Sequence, residues 1–199
     1  MTTSAIPMII IDSTIELLQT RSLDLISITE ISKAANVSRV TFYNYFQNKE
    51  DIIDVLVEDL LVTFDNIQKK NLPFLELANL TNSSVIKEIL YPNTLEIMHF
   101  FYENQAYLAC LLSDHCDIDF MDLLHTTYYN HFLNALPEIF STKFCKETIT
   151  SYASYMTMGV KSITEEWFIS DFAQSPETIS DRVLSMLAPS LMELYMRNS

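Results

Sequence analysis

A chain of 199 residues that is 49% hydrophobic can bury one or two sizeable cores. A single glycine and six prolines leave little room for positive-φ hairpin turns, which argues against a β-rich fold, and no run approaches the ~20 apolar residues of a membrane span. The net charge of −14 counts at first against nucleic-acid binding, and Cys110, Cys116 and Cys145 are odd in number without zinc spacing, as expected of reduced thiols in a soluble cytoplasmic protein.

No sustained alternating pattern appears, so the chain reads as all-α. A first helix is expected from Pro7 to about Thr20, with Ile10, Ile11, Ile15 and Leu18 on its apolar face. The run IPMIII (6–11) is too short for a signal-peptide core, and Asp12 ends it. Ser27 and Glu30 then form an S-x-x-E capping box that starts a helix at Ile28. Ile28, Ile31, Ala34 and Ala35 share a face of it. Asn36 stands where that helix must stop in a left-handed conformation, Val37 follows as an apolar pin, and Ser38 is placed to cap the next helix. Phe42 and Phe46 give this second helix one apolar edge. Arg39, Thr41, Tyr43, Asn44 and Tyr45 lie outside that edge and carry donors, acceptors and one cation. A short helix with a polar outer face, held by its neighbour, suits insertion into a DNA major groove. Asn48 and Asp51 open a longer helix that carries Ile52, Ile53, Leu56, Leu60 and Phe64 and ends near Lys69 and Lys70. NLPFLELANLTNSS (71–84) has the punctuation of a linker.

The stretch from about 7 to 60 resembles the N-terminal helix-turn-helix domain of TetR-type transcriptional regulators, through Ile31, Ala35, Val37, Ser38, Thr41, Phe42, Tyr43, Phe46 and Lys49. Asn36 stands where that family mostly has Gly, Val40 where it often has a small residue, and Ser32 replaces a common Ala. The resemblance implies a three-helix DNA-binding domain (1–50), a connecting helix and linker (51–82), and a helical effector-binding and dimerisation domain (83–199). It implies base contacts from Arg39, Val40, Thr41 and Asn44 and phosphate contacts from Tyr43, Tyr45 and Lys49. The implied partners are a palindromic double-stranded DNA operator, a second copy of the chain, and a small-molecule or protein effector. The implied function is that of a repressor released by its effector. The alternative is a co-regulator or activator working through a protein partner.

Charge is unevenly spread. Residues 1–50 hold four basic side chains (Arg21, Lys33, Arg39, Lys49) against five acidic ones (Asp12, Glu16, Asp24, Glu30, Glu50), so most of the acid lies beyond. A head this poor in cations implies weak, salt-sensitive non-specific affinity. Further helices are expected at about 84–90, 92–104, 106–113, 118–135, 143–169 and 176–197, with Pro92 and Pro137 as breaks. Ser175, Pro176 and Glu177 form a strong helix start. On the last two helices, Tyr152, Met156, Gly159, Val160 and Ile163 form one stripe. Ile179, Val183, Met186, Leu187, Leu191 and Leu194 form another, and the resemblance makes both a dimer surface. Gly159 suits a close helix crossing, either between subunits or within one.

The middle helices concentrate soft and amphipathic side chains. Met98, Phe101, Tyr102, Met121, His125, Tyr128 and Tyr129 are the candidate effector pocket, although a plain core uses the same residues. SDHCDIDF (113–120) gathers His115 and Cys116 among acids but lacks the fixed ligand spacing of a metal motif. No cofactor motif or catalytic constellation appears, so the chain is not read as an enzyme.

Overall fold

A computed structural model describes residues 5–70, 80–140 and 144–196, which form nine α-helices and one 3-10 turn, with no strand among the described residues. α1 covers Ala5–Leu18, so Pro7 lies in its first turn, where a missing N–H costs nothing. Local caps set out the next three helices. Ser27 Oγ accepts from the Glu30 N–H (3.2 Å) while the Glu30 carboxylate accepts from the Ser27 N–H (2.9 Å), closing the capping box of α2 (Ile28–Ala34). Asn36 takes the left-handed conformation expected of it (φ 52°), and the Val37 N–H returns to the Ser32 carbonyl at 2.9 Å. Ser38 Oγ caps α3 (Arg39–Tyr43) by accepting from the Thr41 N–H at 2.9 Å. Asn48 Oδ1 accepts from the Asp51 N–H at 2.7 Å just before α4 (Glu50–Lys69).

The chain divides into two compact units, one of residues 1–60 with 106–120, the other of 61–105 with 121–199. In the first, α2 packs on α1 and α3. Ile10, Ile15, Leu18, Ile31, Phe42, Phe46 and Ile52 are among its buried side chains. Residues 106–120 cluster here. They comprise most of α6 (Gln105–Leu111) and the turn after it, with Leu108, Leu111 and Phe120 buried. Two tethers hold them: the Tyr107 hydroxyl donates to the Asp12 carboxylate, and the Leu23 N–H donates to the His115 carbonyl at 3.1 Å.

In the second unit, α9 (Pro176–Met196) lies along α5 (Ser83–Glu103) and α8 (Lys146–Ile169). Two expected breaks are absent. α5 runs unbroken through Pro92, which faces solvent together with Glu88, so the carbonyl that loses its N–H partner can be met by water. α7 (Phe120–Phe140) likewise continues past Pro137. A proline removes one helical hydrogen bond, and a long helix keeps the others.

The two stripes assigned to a dimer surface are largely internal. Met156, Val160 and Ile163 on α8 and Ile179, Val183, Leu187, Leu191 and Leu194 on α9 are all buried within one chain. Of the stripe residues Met186 is exposed, and outside the stripes Tyr155 and Met158 are exposed as well. Gly159 answers to a crossing within the subunit, since a Cβ there would lie 2.9 Å from the Met186 methyl of α9. Between α8 and α9 the backbone is left-handed at Asp171 and Phe172 (φ 55° and 54°). Buried Trp167 stabilises this turn by donating Nε1–H to the Gln174 carbonyl at 2.9 Å and packing edge-on against Phe172.

Candidate functional site

The first unit presents α3 outward. Phe42 and Phe46 are buried and 5.8 Å apart between ring centroids, which fixes the roll of the helix. Arg39, Val40, Tyr43, Asn44 and Tyr45 are consequently exposed, Val40 at 72% despite its apolar side chain. The Arg39 guanidinium forms no ion pair or hydrogen bond among the described residues, so its donor fork is available. Thr41 is half-buried, its hydroxyl 2.8 Å from Ser38 Oγ, and it serves the cap as well as the surface.

Lys49 has a different environment. Its ammonium donates to the carbonyls of Leu23 (2.7 Å), Asp24 (3.0 Å) and Ile26 (3.2 Å), around the 3-10 turn Leu23–Leu25. Three N–H groups meet three backbone oxygens, which leaves none to offer a phosphate. Arg21 is also engaged, at 2.9 Å from the Glu30 carboxylate. The backbone N–H of Ser27 and the Arg21 guanidinium hold Glu30 well below the usual carboxylate range, at about 2. Lysine spacing gave no sign of the carbonyl cage, because its oxygens come from a turn twenty-three to twenty-six residues earlier.

The second unit contains a mostly apolar cavity of about 40 Å³ lined from α4, α5, α7, α8 and α9. Met98, Phe101, Met121, His125 and Tyr128 line it. Tyr102 and Tyr129 do not: Tyr102 stacks on Trp167 (6.5 Å, 13°), and Tyr129 stacks on His125 (6.0 Å). Phe64, Thr157, Lys161 and Thr164, outside the set expected from sequence, also line it. Buried Thr157 and Thr164, seven apart in an otherwise apolar stripe, were the available signal. Thr157 Oγ1 donates to the Ala153 carbonyl (2.8 Å) and lies 3.2 Å from His125 Nε2. Burial and then the nearby Lys161 charge push the His125 pKa down, so the imidazole is neutral near pH 7. The cavity has room for a few waters, well short of the several hundred Å³ of a typical ligand pocket. Among the described residues no group of three His, Cys, Asp or Glu is placed to hold a metal, and no helix is long and apolar enough to cross a membrane.

Residues 10–56 match the family model for bacterial regulatory proteins of the tetR family, and residues 88–189 match one for a transcriptional regulator C-terminal region. Among solved structures, the chain is similar to the dihydroxyacetone kinase operon activator DhaS, at 19% identity and TM-score 0.65, covering 96% of this chain and 98% of that one. It is similar to the fatty acid degradation regulator FadR from Bacillus halodurans, at 16% identity and TM-score 0.63, covering 94% and 97%. It is also similar to FadR from Bacillus subtilis in complex with stearoyl-CoA, at 18% identity and TM-score 0.61, covering 92% and 98%. At these identities the likeness shows a shared fold. No curated protein matches the sequence.

Proposed function

The chain belongs to the TetR family of bacterial transcriptional regulators, and from that premise we propose that it works as a cytoplasmic homodimer that represses transcription from a palindromic operator and is released by an effector. The observation that carries DNA reading is the outer face of α3, with Arg39 unpaired among the described residues and Val40 exposed beside two buried phenylalanines. Arg39 would donate both arms to a guanine, Val40 would meet a thymine methyl, and Thr41 and Asn44 would read adjacent edges. Tyr43 and Tyr45 would hold phosphates and so fix register. Lys49 supports that surface from behind by holding the turn at Leu23–Leu25.

In this reading the dimer forms through the exposed apolar side of α8 and α9, at Tyr155, Met158 and Met186. The effector enters the cavity of the second unit by widening it. The lining fits an apolar molecule with one hydrogen-bonding or acidic end, which Thr157, His125 and Lys161 could meet. Phe64 lines that cavity and belongs to α4, whose first turn follows the recognition helix in the chain, so displacing it gives an effector a route to the DNA-reading surface.

Selection of bound fragments from random duplexes by the purified protein tests the proposal. Recovered sites should be dyad-symmetric, and Arg39→Ala should cost about 1–3 kcal/mol at them and relax preference at one base per half-site. Sites without symmetry, or an Arg39→Ala protein that binds as before, would sink it. One observation favours a second reading, a regulator that needs a protein partner to hold DNA. Of the four cations in residues 1–50, Arg21 and Lys49 are spent on internal bonds, leaving Lys33 and Arg39. Selection that yields fragments only when a partner protein is present would favour it.

A further inference from the structure

Two cysteines in the first unit face each other outside the DNA-reading surface. Cys110 on α6 and Cys116 on the following turn are both buried and reduced, with Sγ atoms 3.7 Å apart. Cys116 also lines an open cleft of about 400 Å³, and Cys110 does not. The cleft walls include the carboxylates of Asp24, Glu50, Asp54, Asp114 and Asp117. The turn bearing Cys116 is built from short local bonds: Ser113 N–H to the Cys110 carbonyl (3.1 Å), Ser113 Oγ to the same carbonyl (2.7 Å) and Cys116 N–H to the Ser113 carbonyl (3.3 Å). Its other tie is His115. That residue donates Nδ1–H to the Leu18 carbonyl at 2.6 Å, and its own carbonyl accepts from the Leu23 N–H. Leu18 ends α1, and Leu23 lies in the connection from α1 to α2, where its carbonyl also receives Lys49.

We propose that Cys110 and Cys116 are a peroxide-sensitive dithiol whose oxidation to a disulfide loosens the hold of residues 113–116 on the helix-turn-helix. Cys116 is the attacking sulfur, because it alone of the two meets the cleft. A hydrogen bond from the Cys110 thiol favours the Cys116 thiolate and holds the Cys110 proton, in keeping with that order. The Cys116 thiol gives its proton to solvent, and the thiolate attacks one peroxide oxygen. The O–O bond breaks, and the sulfenic acid and a hydroxide result, the hydroxide taking a proton from solvent to become one water. Cys110 sulfur then attacks the sulfenic sulfur, the S–O bond breaks, and its proton leaves with the hydroxide as a second water. Two thiols lose two electrons and one peroxide gains them. The carboxylates select a neutral oxidant, since an anionic disulfide such as oxidised glutathione is repelled from the cleft. Closing 3.7 Å to a bonded ~2.05 Å requires a shift of about 1.7 Å. The turn is the softer side, so His115 moves and its two tethers stretch.

The test uses the full chain, reduced and then treated with hydrogen peroxide or with oxidised glutathione. Titratable thiols should fall from three to one, and peptide mapping should find Cys110 joined to Cys116. Retention of all three thiols, or loss confined to exposed Cys145, overturns the proposal. Peroxide should act at least tenfold faster than oxidised glutathione at equal concentration; equal rates overturn the charge filter. In Cys110→Ser the sulfenic acid should be trapped at Cys116 by dimedone, and in Cys116→Ser no adduct should form at Cys110. The reverse pattern overturns the order of attack. Amide hydrogen exchange on the oxidised wild-type chain, which depends on no variant and no operator, should be at least tenfold faster at Leu23 than in the reduced chain. Unchanged exchange there overturns the link to the helix-turn-helix.

Discussion

The helix-turn-helix and the cavity-bearing bundle are built by opposite means. Between Ser27 and Asp51 each helix start has its own side-chain cap: Ser27 with Glu30, Ser38 with Thr41, Asn48 with Asp51. Each bond joins residues three apart, so where these helices start is written locally. The second unit relies on long helices whose ends matter less than their sides. α5 passes through Pro92, and α8 meets α9 across Gly159 and Met186. Among the described residues, Gln68 keeps both side-chain amide atoms buried without a partner. The contrast suits the work proposed for each: a reading surface must be rigid to be specific, whereas an effector cavity must be able to reopen.

The comparison can be broken most forcefully in the two aromatic cores. Phe42→Ala and Trp167→Ala should each lose about 3–5 kcal/mol of unfolding free energy, read from denaturant midpoints, because both side chains are almost wholly buried. A loss under 1 kcal/mol at either would mean that the aromatic is not what fixes its unit. Next comes Lys49→Met, which keeps the apolar stem and removes the ammonium. Leaving three carbonyls without their donor should cost about 1–3 kcal/mol of stability and leave the salt slope of DNA binding unchanged. A flattened slope with intact stability would return Lys49 to the phosphates.

A smaller effect tests the capping box by pH. Because the Glu30 carboxyl is held at about 2 in the folded chain, its contribution to stability is complete above its ordinary value of 4.5 and is lost as pH falls through 2. Glu30→Gln should therefore lower the melting temperature at pH 7 and converge with wild type near pH 2. A difference independent of pH would show that charge is not the stabilising feature. The smallest change is expected from Gly159→Ala. The obstructing atom is the end of a flexible methionine, so helix propensity should prevail and stability rise by up to ~1 kcal/mol. A clear loss would mean that Met186 cannot move aside.

The sequence by itself determined whatever depends on near neighbours in the chain. The capping box, the left-handed Asn36, the Ser38 cap and the buried Phe42–Phe46 edge were legible because each uses residues at most four apart. The helix start at Pro176 was legible for the same reason. Tertiary structure alone decided the rest. Pro92 reads as a break until a long helix with a solvent-facing gap carries it. The α8 and α9 stripes read equally well as an interface or as the core of one chain, since an apolar face does not specify what covers it. Residues 106–120 join the helix-turn-helix through burial of Leu108, Leu111 and Phe120 and through long-range bonds, from Tyr107 to Asp12 and between His115 and both Leu18 and Leu23. Lys49 likewise looked like a free cation, and its three carbonyl partners exist as a set only after the chain has turned back on itself.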